Sequence, residues 1–347
     1  MTITHKIKAH SYYNLSKVLS YNGVYNFVVG ARGYGKTYGF KKHVINRNIK
    51  AGEQFIYVRR YKTELVQARN TFFADVSVEF PEWEFRINAG VAQRASVETA
   101  GEKKREWITM GYFVALSTAQ TMKSVAFPEV RHIIFDEFII EKGAFHYLPS
   151  ETDIFNNFYS TVDRSQDKTR VYFLANSVTI MNPYFIEYAI YPDRLPELST
   201  RAENFIVCHF PDSKDFRESV SATRFGRFIS GTDYEKYAVG NEFHDASDQM
   251  VGGKHSSARC RFILETDKGK VSVWYSTRTR DYYVQEKLPK GGDVLMLTLS
   301  AEKLDEGKVL VRFNDKILSG LRTAYRNAGV VFDSPRSRNA FAELFRC

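Results

Sequence analysis

Apolar positions in the first two hundred residues follow two rhythms. Continuous short runs, Val24-Tyr-Asn-Phe-Val-Val29, Gln54-Phe-Ile-Tyr-Val58, Arg131-His-Ile-Ile-Phe135 and Arg170-Val-Tyr-Phe-Leu-Ala-Asn176, read as strands buried on both faces. Between them, Tyr38 to Lys50, Thr63 to about Phe80 and Thr152 to Val162 carry helical spacing; Ile154, Phe155, Phe158, Tyr159 and Val162 line one face of the last. Strand, helix, strand in this order predicts right-handed βαβ units and a parallel central sheet, hence an α/β domain. Glu84 to Ser117 breaks into short strand-like pieces around a polar loop, Gln93 to Arg105. Pro183 opens a short helix, and Asn204 to His209 reads as a last strand. Residues 1 to 23 have mixed polarity and end in the turn signal Tyr21-Asn-Gly23, as a packing arm on this domain would.

The pattern then changes. Pro211 to about Ser257 is polar and glycine-punctuated, which predicts a linker subdomain. Ala258 to Leu264, Lys270 to Ser276, Tyr282 to Leu288 and Val294 to Leu299 read as successive strands, the first two joined by the turn Thr266-Asp-Lys-Gly269. Helical segments follow at Lys316 to Ala328 and Arg336 to Arg346. A meander followed by helices predicts an α+β domain, so the expected division is 1–210, 211–257 and 258–347.

Between the first strand and its helix lies Gly30-Ala-Arg-Gly-Tyr-Gly-Lys-Thr37, the Gly-x-x-x-x-Gly-Lys-Thr pattern of a phosphate-binding P-loop in the context that gives it meaning. Glycines let successive N–H groups point inward, and the helix N-terminus adds partial positive charge. The nucleotide phosphates would lie along Gly30, Arg32, Gly33 and Gly35, with Lys36 reaching the β- and γ-phosphates and Thr37 holding Mg²⁺. The strand at Arg131 ends in Asp136-Glu137, a Walker B arrangement. In a parallel sheet this pair opens onto the same edge as the P-loop. Asp136 would support the metal and Glu137 would activate water. Asn176, at the end of a further strand, is a candidate for the γ-phosphate or the attacking water; as a lone Asn it also reads as a turn former.

Charge narrows the partners. A formal +9 alongside 27 Phe and 21 Tyr favours a phosphate-rich partner without proving one, the lesser alternative being a basic globular protein with no polyanion partner. Cys208, Cys260 and Cys347 are odd in number and widely spaced, which argues against a disulfide framework or a Cys-x-x-Cys metal site. The N-terminus lacks an apolar signal core, and no run approaches the length of a bilayer span, so a cytosolic protein without membrane contact is expected.

The motifs in this order resemble the DNA-packaging ATPases of small tailed phages, the phi29-like motors related to large terminases. The resemblance rests on Asn26 to Thr37, Gly52-Glu-Gln-Phe-Ile-Tyr-Val-Arg-Arg-Tyr-Lys62, Phe135-Asp-Glu-Phe138, Asn182-Pro-Tyr-Phe185 and Thr223-Arg-Phe-Gly-Arg-Phe-Ile-Ser-Gly-Thr232. It implies an ATP-driven motor that moves double-stranded DNA into a preformed capsid. The motor would be a homo-oligomeric ring, expected to be a pentamer, in the host cytoplasm and transiently on the portal vertex, with a structural packaging RNA as a candidate further partner. It implies that Arg164 is an arginine finger acting on a neighbour's ATP, and that Arg59, Lys62 and Lys123 grip DNA or act between subunits. For the C-terminal domain it implies a ribonuclease-H-like fold, here a vestigial nuclease contacting nucleic acid or portal through residues such as Arg278, Arg280 and Lys287. Cleavage is not expected, because Glu265 and Asp267 find no acid within the strand Val294 to Leu299. Rival readings are a capsid-independent translocase or helicase of the same P-loop class, an active terminase, and an ATP-binding scaffold; Glu137 argues against the last.

Overall fold

The computed structural model describes residues 12–102, 105–122, 125–140, 147–148, 150–180, 182–188, 190, 192, 195–241, 243, 253–291, 293–312, 315–326 and 329–345. The chain divides into two compact units, residues 1–179 with 191–244, and residues 180–190 with 245–347.

The first unit is built on a nine-stranded sheet in the order β3-β4-β5-β2-β6-β7-β1-β9-β8. Its strands are β1 (Tyr25–Gly30), β2 (Gln54–Arg59), β3 (Trp83–Asn88), β4 (Val91–Ser96), β5 (Ile108–Ala115), β6 (Val130–Asp136), β7 (Arg170–Asn176), β8 (Leu198–Arg201) and β9 (Ile206–His209). The central run β5-β2-β6-β7-β1-β9 is parallel, and β4, β3 and β8 extend it antiparallel at the two sides. Strand β7 therefore separates the P-loop strand β1 from the acidic strand β6. Helices α1 (Ser16–Leu19), α2 (Lys36–Ala51), α3 (Lys62–Asn70) and α4 (Glu151–Asp163) accompany the sheet.

Strand alternation assigns the two faces. On β7, Tyr172 packs against Phe40 of α2, while Phe173 meets Phe155 of α4 and stacks on Phe27 of β1. Phe135 stacks on Phe155, so α4 covers the β6–β7 surface with the apolar face its spacing predicted. Tyr13 packs on Tyr34 and Phe40 and bonds His209 Nδ1 at 2.9 Å, so the described part of the anticipated packing arm lies against this domain, while its residues 1–11 fall outside the described residues. Helix α3 stops at Asn70, short of the helical run expected to Phe80, and turns and a 3₁₀ turn at Ser77–Glu79 complete the stretch. Strand β4 takes up the start of the expected polar loop.

Within 211–244 the chain forms three short helices, α6 (Lys214–Ser221), α7 (Arg224–Ile229) and α8 (Asp233–Ala238), each begun by a Ser or Thr side chain that accepts an N–H of the first turn. These helices cluster with the first unit.

The second unit contains α5 (Pro183–Glu187) and a six-stranded sheet in the order β14-β13-β10-β11-β12-β15. Strands β10 (Arg259–Thr266), β11 (Gly269–Tyr275) and β12 (Tyr282–Gln285) form the antiparallel meander. Strands β13 (Met296–Thr298) and β14 (Lys308–Leu310) join parallel on the other side of β10, and β15 (Val330–Phe332) lies parallel to β12. The sheet is thus a meander with two parallel strands beyond its first member and one parallel strand beyond its last. Helices α9 (Ser319–Arg326) and α10 (Pro335–Ala342) close the unit, with Leu321, Phe341 and Phe332 in its core. Among the described residues no helix is long and apolar enough to cross a membrane.

Candidate nucleotide site

Parallel strands bring the candidate residues to one edge. Gly30 ends β1 in direct register with Asn176 at the end of β7, and Asp136 ends β6 opposite Leu174 of β7. Past Gly30 the chain curls through two left-handed glycines, Gly33 at φ +77 and Gly35 at φ +85, before entering α2. At Gly35 a Cβ would meet the Tyr12 ring at 2.8 Å, so glycine is required there by both backbone and space.

Lys36 is the buried centre of the loop. Its Nζ donates to the Gly30 and Ala31 carbonyls at 2.8 Å each and lies 3.4 Å from Asn176 Oδ1. Burial pulls its pKa down to about 7, against the opposing pull of Asp136. A lysine held this way is poised to regain full charge when an anion arrives. Thr37 donates its hydroxyl to Asp136 Oδ1 at 3.0 Å, putting two hard oxygen ligands side by side. The loop, lysine and hydroxyl–carboxylate pair fit a nucleotide polyphosphate with a hard divalent cation.

A second layer surrounds Asp136. Tyr57, on β2, donates to Asp136 Oδ2 at 2.6 Å, and burial together with that carboxylate drives the phenol pKa well up. Arg59, two residues on and on the same strand face, bridges both acids: Nη1 lies 3.5 Å from Asp136 Oδ2 and Nη2 is 2.6 Å from Glu137 Oε2. Burial opposes its charge, but Asp136, Tyr57 and Glu137 outweigh that and hold the guanidinium more firmly protonated than usual. Glu137 itself is exposed and sits in the left-handed region at φ +57. Behind the turn, Arg60 donates to the Glu137 and Phe138 carbonyls and to the carboxylate of Glu151.

The structure thus gathers Gly30, Gly33, Gly35, Lys36, Thr37, Asp136, Glu137, Asn176 and Arg59 at one edge. Arg32, on the exposed side of the loop, donates its backbone N–H to the carbonyl of Ala238, the last residue of α8, at 3.1 Å. Lys62 is exposed at the start of α3, and Lys123 lies outside the described residues. Arg164 is elsewhere. It caps α4 in the left-handed region at φ +53, just before the start of β7, whereas the P-loop lies beyond the strand ends. The seven residues of β7 put the two edges roughly 20 Å apart. Asp163 holds the α4–β7 turn by accepting backbone N–H groups from Gln166, Asp167, Lys168 and Thr169 at 2.9–3.0 Å. The Arg164 side chain is exposed there, with no ion pair among the described residues.

Sequence reasoning overlooked Tyr57, Arg60 and Glu151. The first carried a readable signal, since Tyr57 and Arg59 alternate on a strand that ends at the ligand edge. Glu151, at the first position of α4, had none before its distant partner was known.

In the second unit, Glu265, the penultimate residue of β10, contacts Lys270 at 3.2 Å and Lys308 at 2.7 Å; Asp267 contacts Lys303 at 2.9 Å. The side chains of Lys308 and Lys270, and burial in the opposite sense, leave the Glu265 carboxyl below its ordinary pKa.

Residues 7–347 match the family described as Podovirus DNA encapsidation protein (Gp16). The chain is 37% identical over 336 residues to the DNA packaging protein of Bacillus phage B103, covering 95% of this chain and 98% of that one. The DNA packaging protein of Bacillus phage phi29 is 36% identical over 341 residues, covering 96% and 97%. Among solved structures, a chain of the bacteriophage Phi-29 viral genome packaging motor assembly superposes with TM-score 0.66 at 34% identity, covering 97% of this chain and 99% of that chain. The N-terminal domain of the DNA packaging ATPase from bacteriophage phi29 matches at TM-score 0.51 and 40% identity over 59% of this chain and 98% of its own.

Proposed function

The chain belongs to the podovirus Gp16 DNA encapsidation family, and from that premise we propose that it is the ATPase of a motor that drives double-stranded DNA into a preformed capsid. The observation that carries the reading is the constellation at the ends of β1, β6 and β7: buried Lys36, the Thr37–Asp136 pair, Asn176, and Glu137 beside them. Lys36 and the loop amides hold the phosphates. Mg²⁺, held through Thr37 and Asp136, would neutralise charge between the β- and γ-phosphates. Glu137 orients and deprotonates water, for which it must first leave Arg59. Asn176, beside Lys36 at the strand edge, senses the γ-phosphate and couples its loss to movement.

Arg164 acts on a neighbour's ATP. Its placement supports this, because a side chain exposed at the opposite strand edge is out of reach of its own P-loop. The resulting contact is heterologous and closes into a ring, a pentamer by resemblance, seated on the portal vertex in the host cytoplasm, with a packaging RNA as a further partner. Lys62 and Lys123 remain assigned to DNA or to a neighbour. Arg59 in this state neutralises the Walker B acids, so any DNA or inter-subunit contact it makes would free them.

Nuclease activity is absent on this reading. The paired lysines on Glu265 and Asp267 support that, since an ammonium held against a carboxylate takes the place a catalytic cation needs. The rival active terminase predicts cleavage, and the capsid-independent translocase predicts full activity without capsids. The test is the ATPase rate alone, with double-stranded DNA, with empty capsids, and with both. Stimulation by the two together supports packaging; turnover indifferent to DNA and capsid refutes it.

A further inference from the structure

Arg60 has no part in the chemistry above, yet it is buried where the site can least tolerate an unmet charge. The residue is 2% exposed. Its Nε and Nη2 make a two-pronged pair with Glu151 at 2.7 and 2.9 Å, while Nη2 and Nη1 also donate to the carbonyls of Phe138 at 2.6 Å and Glu137 at 3.3 Å. Its guanidinium lies over the rings of Phe135 and Tyr147 at 5.6 and 4.9 Å. Glu151 is itself fully enclosed and accepts the Leu148 N–H at 2.8 Å.

This geometry faces the one strained residue of the acidic pair. Glu137 has φ +57, a conformation that crowds the Cβ of an L-residue against its own carbonyl. The turn survives because its inward carbonyls find donors. One guanidinium supplies them from a single plane, and Glu151 fixes that plane; an ammonium offers no such fork.

We propose that Arg60, braced by Glu151, is a positioning residue for ATP hydrolysis: it locks the Glu137–Phe138 backbone and so aims the Glu137 carboxylate at the attacking water. The inference rests on the reading of Glu137 as the base. Loss of the lock leaves the P-loop intact, because Lys36, Thr37 and the loop amides bind phosphate without it. It frees the carboxylate to wander by about an ångström, which typically costs roughly 10²-fold in rate.

The test is steady-state ATPase of the full chain under DNA and capsid stimulation, with nucleotide binding measured separately by fluorescent-analogue titration. Arg60→Lys keeps the charge and loses the fork. Glu151→Gln keeps Arg60 and weakens its brace. Arg60→Met with Glu151→Leu removes the ion pair altogether, an exchange that buried pairs often tolerate in stability. The expected result is kcat lowered ~10²-fold in Arg60→Lys and in the double variant, and ~10-fold in Glu151→Gln, with KM and analogue affinity within ~3-fold of the parent. Normal kcat in Arg60→Lys, or KM rising and analogue affinity weakening by as large a factor as kcat falls, would overturn the proposal, the second by showing a merely structural role. Glu137→Gln run in parallel separates the two ideas. If it keeps full turnover, the base reading fails and takes this one with it; if it stops turnover while the Arg60 variants do not, this proposal fails alone.

Discussion

Binding of nucleotide should draw a proton onto Lys36. In the free protein its amine is enclosed and bonded to two backbone carbonyls, and burial lowers its pKa from 10.5 to about 7, with Asp136 pulling the other way. Phosphate oxygens in the loop restore the charged form. At pH 8.5 the free protein therefore carries almost no proton on Lys36 and the complex about one, so uptake is ~1; at pH 7 it falls to ~0.5. Calorimetric titration with a non-hydrolysable ATP analogue and Mg²⁺, repeated in buffers of different ionisation enthalpy, reads this number as a slope. Stability follows with a definite sign. The folded pKa lies below the unfolded one, so between about pH 7 and 10.5 the unfolded chain binds more protons and this group's contribution to stability rises with pH. The rise is at most ~1.4 kcal/mol per pH unit, and saturating nucleotide should flatten it. A binding enthalpy independent of buffer at pH 8.5, or an uptake equal at the two pH values, would refute the argument that burial has depleted the lysine's charge.

Three further outcomes follow from the site. Glu137→Gln should bind the ATP analogue normally and hydrolyse ATP ~10²- to 10⁴-fold more slowly in a phosphate-release assay. Lys36→Ala and Arg164→Ala subunits, each inactive alone, should regain hydrolysis when mixed in one ring, because some interfaces then carry both intact residues; verified mixed rings without recovery would refute the role of Arg164 in trans. Supercoiled plasmid incubated with the protein and Mn²⁺ should remain closed on a gel, and nicking would show that the lysines on Glu265 and Asp267 do not block a cation.

The α/β alternation of the first unit was legible because its strands are buried on both faces and its helices show one apolar face. Lys36, Thr37 and Asp136 were legible for a related reason: local motifs in a parallel sheet must meet at one edge, and the Thr37–Asp136 bond of 3.0 Å is that rule in atoms. Short edge strands were harder. Leu198–Arg201, Lys308–Leu310 and Val330–Phe332 are three or four residues long, too short to show a period, and exist through pairing with neighbours supplied by the fold. Helices α6 to α8 hid behind glycines and polar residues, although Ser213, Thr223 and Thr232 were readable caps. Arg59 carries two contacts with acids distant in sequence, and no composition argument on one strand can announce them.

Helix α4 begins at Glu151, enclosed beneath the turn at Glu137, and ends at Asp163, where its cap Arg164 is exposed at the far side of the sheet. Its 13 residues make a rod of about 20 Å. If Arg164 works on the next subunit, this rod is a connecting link between two reactions: a shift of the Glu137 turn on one nucleotide is delivered, undiminished by soft loops, as a shift of the arginine on the next. Repeated around a closed ring, such links set timing, so the order in which subunits fire would be written into one short helix and the two residues at its ends.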